Sequence, residues 1–205
     1  VLSKSGDDFA VMGMHFKLGL YEHQSAGALQ AVIDLLRENP HLLTGVDQIG
    51  SIEIAAYEPA FGIIGNPMKK NPTTRQSADH SMAYIVATLI RKAIESGSVA
   101  SSSDEVWKQL MLSPFDYEVS DKAIYHPVTR QIMDKISFVH GGSEYDAKYP
   151  EGIPTSVKIT DASGNVMDSG LVMFPAGHAR NTTADLNGIL RHKFQLLGKL
   201  ALPEG

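Results

Sequence analysis

The sequence predicts an α+β fold in which an antiparallel or mixed sheet is covered by helices. Amphipathic helical segments are spread along the chain, and short segments between them show the alternating polarity of strands. Two of these strands are joined by residues 161–165, whose Asp, Ser, Gly and Asn are typical of a hairpin turn. Because strands and helices do not alternate regularly and one strand pair is a hairpin, the class is α+β.

The first third of the chain predicts one helix and one strand. Apolar residues recur at helical spacing over 22–38 (Leu29, Val32, Ile33 and Leu36) and Asn39-Pro40 ends this helix. Alternating polarity over 51–58 predicts a half-buried strand, which 61–64 extends past a bend. Two prolines and two asparagines make 65–76 a loop.

The middle of the chain predicts two further helices. A wide apolar face over 77–95 indicates a deeply packed helix, which ends at Gly97. Ser102 and Glu105 have the spacing of a capping box, so a short helix is expected over 103–112. The segment that follows it, 113–126, is predicted to be irregular.

The last third predicts a helix, three strands and a final helix. Pro127 suits the first position of a helix over 127–135, and 136–139 follows as a short strand. The hairpin strands are expected over 155–160 and 166–173. The final helix, over 182–199, has Leu186, Ile189, Leu190, Phe194 and Leu197 at helical spacing.

Length and composition limit the classes of function. The 205 residues suffice for one domain, or for one domain plus a piece of another. A net charge of −5 gives no overall field that attracts nucleic acid or an anionic membrane, and no apolar run approaches the ~20 residues of a membrane span. The absence of cysteine excludes disulfides and thiolate chemistry. The chain starts at Val1 with nothing like a targeting peptide, so we expect a processed or excised piece.

The most polar part of the chain that leads directly into a helix is 14–30. Lys17 suits the binding of a carboxylate, and His23 suits proton transfer near neutral pH. Short side chains at 25–28 leave room for another backbone or for a ligand near the helix start. The alternative is a surface loop in which the polar residues only form a salt bridge and start the helix.

Two further clusters carry titratable side chains. The run 75–84 contains Arg75, and it contains His80 and Tyr84 at i and i+4, which would place these two side chains on one helical face. The run 175–181 contains His178 and Arg180 beside a glycine, and both side chains could reach an anion. The alternatives are helix capping and a hydrogen-bonded core histidine.

Metal and nucleotide sites are not expected. The eight histidines are scattered without the spacings that zinc sites favour. The sequence contains no glycine-rich phosphate loop and no GxSxG nucleophile motif. We therefore expect neither a metal nor another cofactor.

Taken together, the three clusters resemble the C-terminal half of the MmgE/PrpD family, nearest to its eukaryotic, fungal-type 2-methylcitrate dehydratases. The resemblance rests on three runs in this order: His15 to Ala26, Arg75 to Tyr84 and Phe174 to Arg180. It implies that 15–178 form the α+β lid of a larger enzyme. Residues 1–14 would lead into the lid, and 179–205 would begin a helical return segment.

The resemblance also implies the chemistry. The expected reaction is the dehydration of 2-methylcitrate to 2-methyl-cis-aconitate in the methylcitrate cycle of propionate catabolism, without a cofactor. Lys17 and His23 match family residues that face the active-site cleft, so Lys17 would bind a substrate carboxylate and His23 would either line the site as a polar residue or carry a proton. The further substrate-binding residues expected are Tyr57, Arg75, His80, Tyr84 and His178.

The expected partners follow from the same resemblance. They are a tricarboxylate substrate, an N-terminal helical domain and a second copy in a homodimer, with no nucleic acid and no membrane. Location in the mitochondrial matrix is expected by resemblance, and a cytoplasmic location otherwise. Because half of the cleft would lie on the helical domain, the 205 residues alone are expected to be inactive. The alternatives are a decarboxylase or epimerase of a related acid, or a binding module without catalysis.

Overall fold

A four-stranded mixed sheet forms the centre of the molecule. The computed structural model describes residues 13–202. The strand order is β2-β1-β3-β4, in which β1 pairs with β2 in parallel and all other pairs are antiparallel. The strands are β1 Ile49–Ala56, β2 Ile136–His140, β3 Thr155–Asp161 and β4 Val166–Asp168. This arrangement confirms the predicted α+β class with a mixed sheet.

Seven α-helices lie in the described residues: α1 Ala26–Glu38, α2 Arg75–Asp79, α3 Met82–Ser96, α4 Ser103–Gln109, α5 Pro127–Asp134, α6 Ser143–Lys148 and α7 Leu186–Ala201. The local signals for their ends act as predicted. The Ser102 hydroxyl accepts a hydrogen bond from the Glu105 N–H at 3.3 Å, and Pro127 occupies the first turn of α5. Gly97 ends α3 with a left-handed φ of 67°. None of the helices described is long and apolar enough to cross a bilayer.

The core is one cluster of buried side chains from α1, α3 and the sheet, and α1 packs directly against both α3 and β3. Ile52 and Ile54 of β1 and Val157 of β3 are fully buried, as predicted for the inward face of alternating strands. The short side chains at the start of α1 allow β3 to pack closely against the helix. The space beside them is therefore filled by β3 and not by a ligand. A Cβ atom on Gly27 would lie 2.6 Å from the Thr155 Oγ1 atom, so the backbones approach closely there.

The single helix predicted over 77–95 was wrong, because the chain forms two helices that meet at His80 and Ser81. His80 ends α2, and the Ser81 hydroxyl starts α3 by accepting a hydrogen bond from the Tyr84 N–H at 3.3 Å. The same hydroxyl donates to the Lys69 carbonyl at 2.7 Å, which fixes the junction. His80 and Tyr84 therefore do not share a helical face.

Three other local predictions were also wrong. The segment Ala60–Ile64 forms one turn of π-helix instead of extending β1. The segment 141–154, in which Gly141-Gly142 and the polar residues after them predict a loop, contains α6. The second hairpin strand ends at Asp168, since Gly170 takes a positive φ of 64°, and only one isolated bridge joins Val172 to β3.

The predicted domain divisions stay predictions. Most of the leading segment 1–14 lies outside the described residues. Helix α7, which belongs to the predicted return segment, packs against α4 and buries Ile189.

Replacing Gly27 by alanine is expected to lower the free energy of unfolding. Alanine usually stabilises a helix by about 0.5–1 kcal/mol relative to glycine. At this position the new methyl group collides with Thr155, and overpacking of this kind costs about 1–3 kcal/mol. Urea denaturation of the 205-residue chain measures the difference.

Gly198→Ala in α7 is the matched control. A Cβ atom there meets no other atom within 4 Å in the described part of the chain, so this substitution should stabilise the protein. Equal effects of the two substitutions would contradict the close approach of α1 to β3.

Candidate active site

Three histidine side chains form a continuous stack, called the histidine row: His15, His23 and His178. The ring of His15 lies in the middle, with its centroid 5.3 Å from that of His23 and 3.9 Å from that of His178. The planes of His15 and His23 are almost parallel, at 7°. Phe174 continues the row beyond His178 at 4.8 Å. Two of the histidines, His23 and His178, were predicted as site residues from separate motifs, and the structure brings them together.

One backbone contact joins the two motifs. The Phe16 N–H donates a hydrogen bond to the Gly177 carbonyl at 2.8 Å. A Cβ atom on Gly177 would lie only 2.0 Å from the Phe16 carbonyl oxygen, so the approach requires glycine. Leu18 anchors the first segment, since its side chain is fully buried and its N–H donates to the Tyr21 hydroxyl at 3.0 Å.

Backbone donors fix the protonation of two rings. The Ala179 N–H donates to Nδ1 of His15 at 3.3 Å, and the Arg180 N–H donates to Nδ1 of His178 at 3.0 Å. A neutral imidazole that accepts at Nδ1 carries its proton on Nε2. Both rings therefore present Nε2–H as a donor. The Nε2 atoms of His178 and His23 are buried, and neither has a hydrogen-bond partner within residues 13–202.

The environment keeps the histidine row neutral. Burial, together with the neighbouring His15, His23 and Arg180, lowers the pKa of His178 to about 4. Burial also lowers the pKa of His23, with a contribution from the charges of His15 and Lys17. The lowered pKa values make these imidazoles weaker bases than free histidine, but they keep the rings in the neutral form that a general base requires.

A carboxyl group next to the row has its pKa raised rather than lowered. Burial raises the pKa of Glu22, although its acceptance of a hydrogen bond from the Gln24 N–H at 2.8 Å and the nearby His80 and Lys17 partly counter the effect. Asp79 also lies close enough to raise the pKa of Glu22. The structure thus brings the predicted His80 into the neighbourhood of Lys17 and His23, and it adds Glu22 as an acid that holds its proton to higher pH.

Tyr57 contributes a buried hydroxyl to the same region. Its side chain is fully buried, and its Oη atom is without a hydrogen-bond partner in the described residues. The ring stacks on that of Tyr149 at 4.6 Å. Burial raises the pKa of Tyr57, and the nearby Tyr149 and Glu22 add to this rise. The hydroxyl therefore stays protonated and can donate to a ligand.

A second lysine accompanies Lys17. The Lys193 ammonium of α7 donates a hydrogen bond to the Lys17 carbonyl. Burial lowers the pKa of Lys193, and the charge of Lys17 lowers it further. Lys17 itself is exposed, which leaves its ammonium accessible to a ligand.

Two predicted residues do not join this group. Arg75 lies exposed in the first turn of α2 and forms no ion pair with any other described residue. Tyr84 is fully buried in the core and donates its hydroxyl to the Asp116 carbonyl. Its i+4 spacing from His80 favoured a shared face, but the break between α2 and α3 separates them.

Sequence reasoning missed four residues of this region: His15, Glu22, Tyr149 and Lys193. His15 and Glu22 stand in the polar stretch 14–30, so their position was a signal that was not used. Lys193 and Tyr149 are brought here only by the tertiary fold, since α7 and the segment after α6 carry no motif.

An open cleft of about 740 Å³ is lined by none of the three histidines of the row. The Gln30 amide that lines it donates to Asp34 and Ser103 and accepts from Trp107 and the Ala176 N–H. No group of three metal-ligating side chains occurs among the residues with described coordinates. The Nε2 atoms of His23 and His178 are buried without a partner in residues 13–202, and this favours the histidine row over the cleft as the site.

Comparison with known proteins identifies the family of the chain. A family model described as the MmgE/PrpD C-terminal domain matches residues 21–205, which is most of the chain. The chain therefore belongs to the MmgE/PrpD family and carries its C-terminal domain. The family includes dehydratases and other lyases, so membership indicates a lyase-type, dehydratase-like enzyme. A search of curated proteins found no match.

The stability of the chain should fall as the pH drops from 6.5 towards 4. The pKa of His178 is about 4 in the folded chain and 6.5 in the unfolded chain, so the unfolded chain binds more protons between these values. The contribution of the neutral His178 to the free energy of unfolding is complete above pH 6.5. It is lost as the pH falls from 6.5 to 4. Urea denaturation at several pH values gives the free energy of unfolding as a function of pH. Between pH 6.5 and 4 this free energy should therefore change less for His178→Gln than for the wild type.

His192→Gln on α7 is the control for this comparison, because His192 is not a member of the histidine row. The free energy of unfolding of this variant should change with pH as that of the wild type does. An unchanged pH dependence for His178→Gln would show that the imidazole of His178 is not held neutral by the fold.

Proposed function

We propose that this chain forms one wall of the active site of an enzyme that dehydrates 2-methylcitrate to 2-methyl-cis-aconitate. Membership of the MmgE/PrpD family supports a dehydratase-like activity, and the resemblance of the three motifs supports this substrate. One observation carries the proposal: the buried polar atoms His23 Nε2 and Tyr57 Oη lack partners in the described chain and belong to one region with Lys17.

The wall has the donors that a tricarboxylate requires. Lys17 supplies an accessible ammonium, which binds a carboxylate as a point charge. His178 supplies an Nε2–H donor, because its Nδ1 accepts from the Arg180 N–H. The Tyr57 hydroxyl supplies another donor, and we assign His80 to the same wall. We leave Tyr84 out, since its hydroxyl is already bound to the Asp116 carbonyl.

The proposed elimination needs one base and one acid. Neutral His23 takes the proton from the carbon next to the carboxylate, and the electron pair of that C–H bond forms the new double bond. The C–O bond to the hydroxyl group breaks as Glu22 delivers its proton, so that water leaves. The lowered pKa of His23 and the raised pKa of Glu22 suit these two roles.

The remaining parts of the proposal rest on the family resemblance. The enzyme needs no cofactor, and an N-terminal helical domain supplies the other wall of the cleft, so the 205 residues alone do not catalyse the reaction. The protein acts as a homodimer in the mitochondrial matrix. A substrate panel followed by NMR distinguishes dehydration from decarboxylation or epimerisation of related acids, because each reaction gives a different product.

Substitution of Lys17 or His23 by alanine in the protein with its helical domain should impair dehydration. Loss of His23 removes the base, and kcat should fall about 10²–10⁴-fold. Loss of Lys17 removes a charge-assisted contact, and kcat/KM should fall roughly tenfold to a hundredfold. Loss of the 2-methylcitrate signal in an NMR assay measures both effects.

Lys158→Ala is the matched control, because this lysine is half exposed on β3 and its partner is Asp168 of the hairpin. Its kinetic constants should equal those of the wild type. Unchanged kcat/KM in both Lys17→Ala and His23→Ala would contradict the assignment of the site.

A further inference from the structure

His15 is the one member of the histidine row to which neither the motifs nor the proposed reaction assigns a role. Its ring is sandwiched between those of His23 and His178, at 5.3 and 3.9 Å. It is only partly buried, so one part of the ring remains accessible to solvent. Two hydrogen bonds between the two motifs fix its position. One joins Phe16 to Gly177, and in the other the Ala179 N–H donates to the ring itself.

The orientation of the row favours an acceptor as ligand. His15 and His178 both accept backbone hydrogen bonds at Nδ1 and so direct their protons to Nε2. His178 is 97% buried, with an exposed fraction of 3%, and its Nε2 has no partner in the described residues. A buried donor without a partner is unfavourable unless a ligand or water accepts from it.

The charged groups that act on the row are mainly cationic, and the carboxyl group next to it, that of Glu22, has a pKa that burial raises. Lys17 acts on His23, and Arg180 acts on His178, while Arg180 is itself paired with Glu151. Lys193 stands beside Lys17. Each imidazole also disfavours protonation of the next, because the like charges would be only a few ångströms apart. An anion at the row would remove this penalty and would stabilise an added proton.

We propose that His15 is a further substrate-binding residue, and that the row of three imidazoles takes up a proton when a polycarboxylate binds. The identity of the anion as a tricarboxylate rests on the proposed function. Mutual repulsion limits the row to about one extra proton. Binding therefore strengthens as the pH falls below neutrality, and the proton goes to His23, because the Nδ1 atoms of His15 and His178 already accept backbone hydrogen bonds.

The test uses the 205-residue chain as wild type and as His15→Phe, which keeps an aromatic ring in the stack but removes both nitrogen atoms. Histidine ¹⁵N NMR at pH 8 reports the tautomers. Citrate titrations at pH 6.5, followed by NMR and by calorimetry in two buffers of different ionisation enthalpy, report affinity and proton uptake. His41→Phe is the control, since His41 pairs with Asp161 at the hairpin turn, away from the row.

The proposal predicts Nε2–H tautomers for His15 and His178 and proton uptake by the wild type and by His41→Phe. For His15→Phe it predicts roughly tenfold weaker citrate binding and a reduced proton uptake. An Nδ1–H tautomer in either ring, or wild-type affinity and uptake in His15→Phe, would overturn it.

Inorganic phosphate separates this inference from the proposed function. If phosphate binds with uptake of a proton that depends on His15, while citrate and 2-methylcitrate do not bind, the row is an anion site and the tricarboxylate assignment is wrong. If none of these anions shifts the imidazole signals, the inference about His15 is itself overturned.

Discussion

The close contact between Phe16 and Gly177 is the constraint on which the site depends. The two residues are far apart in sequence, yet their backbones share a hydrogen bond of 2.8 Å, and no side chain larger than hydrogen fits at residue 177. This contact stacks His15 on His178 and leaves His23 on the other side of His15. The core supports it indirectly, because the buried Leu18 holds the first segment and the approach of α1 to β3 at Gly27 orients the turn that carries His23.

The same packing explains the electrostatics of the site. Burial lowers the pKa of His23 and His178 and raises the pKa of Glu22. Each shift disfavours charge, so burial favours neutral imidazoles and makes the Glu22 carboxyl group harder to ionise beside the ammonium of Lys17. A polyanionic ligand would accept hydrogen bonds from the free donors. This would offset much of the free-energy cost of burying them without a partner. Three of the buried polar atoms without a partner in residues 13–202, His23 Nε2, His178 Nε2 and Tyr57 Oη, belong to this region, as expected of a binding site.

The fold could be predicted where local sequence determines it. Pro127, the capping box at Ser102 and the hairpin turn act through their nearest neighbours, and each appears where it was expected. The break at Ser81 was missed because its hydroxyl bonds to Lys69 across a loop, which no periodicity reveals. In the site, Lys17, His23 and His178 came from motifs. His15 and Lys193 owe their roles to contacts between distant segments, and these contacts have no signature in the local sequence.

The most direct measurement of the central claim is the position of a bound tricarboxylate. A crystal structure of the protein with its helical domain and 2-methylcitrate would give that position. The account predicts carboxylate oxygens about 2.7–3.2 Å from Lys17 Nζ and from His178 Nε2. A ligand seated instead in the cleft beside Gln30, with the histidine row untouched, would contradict it.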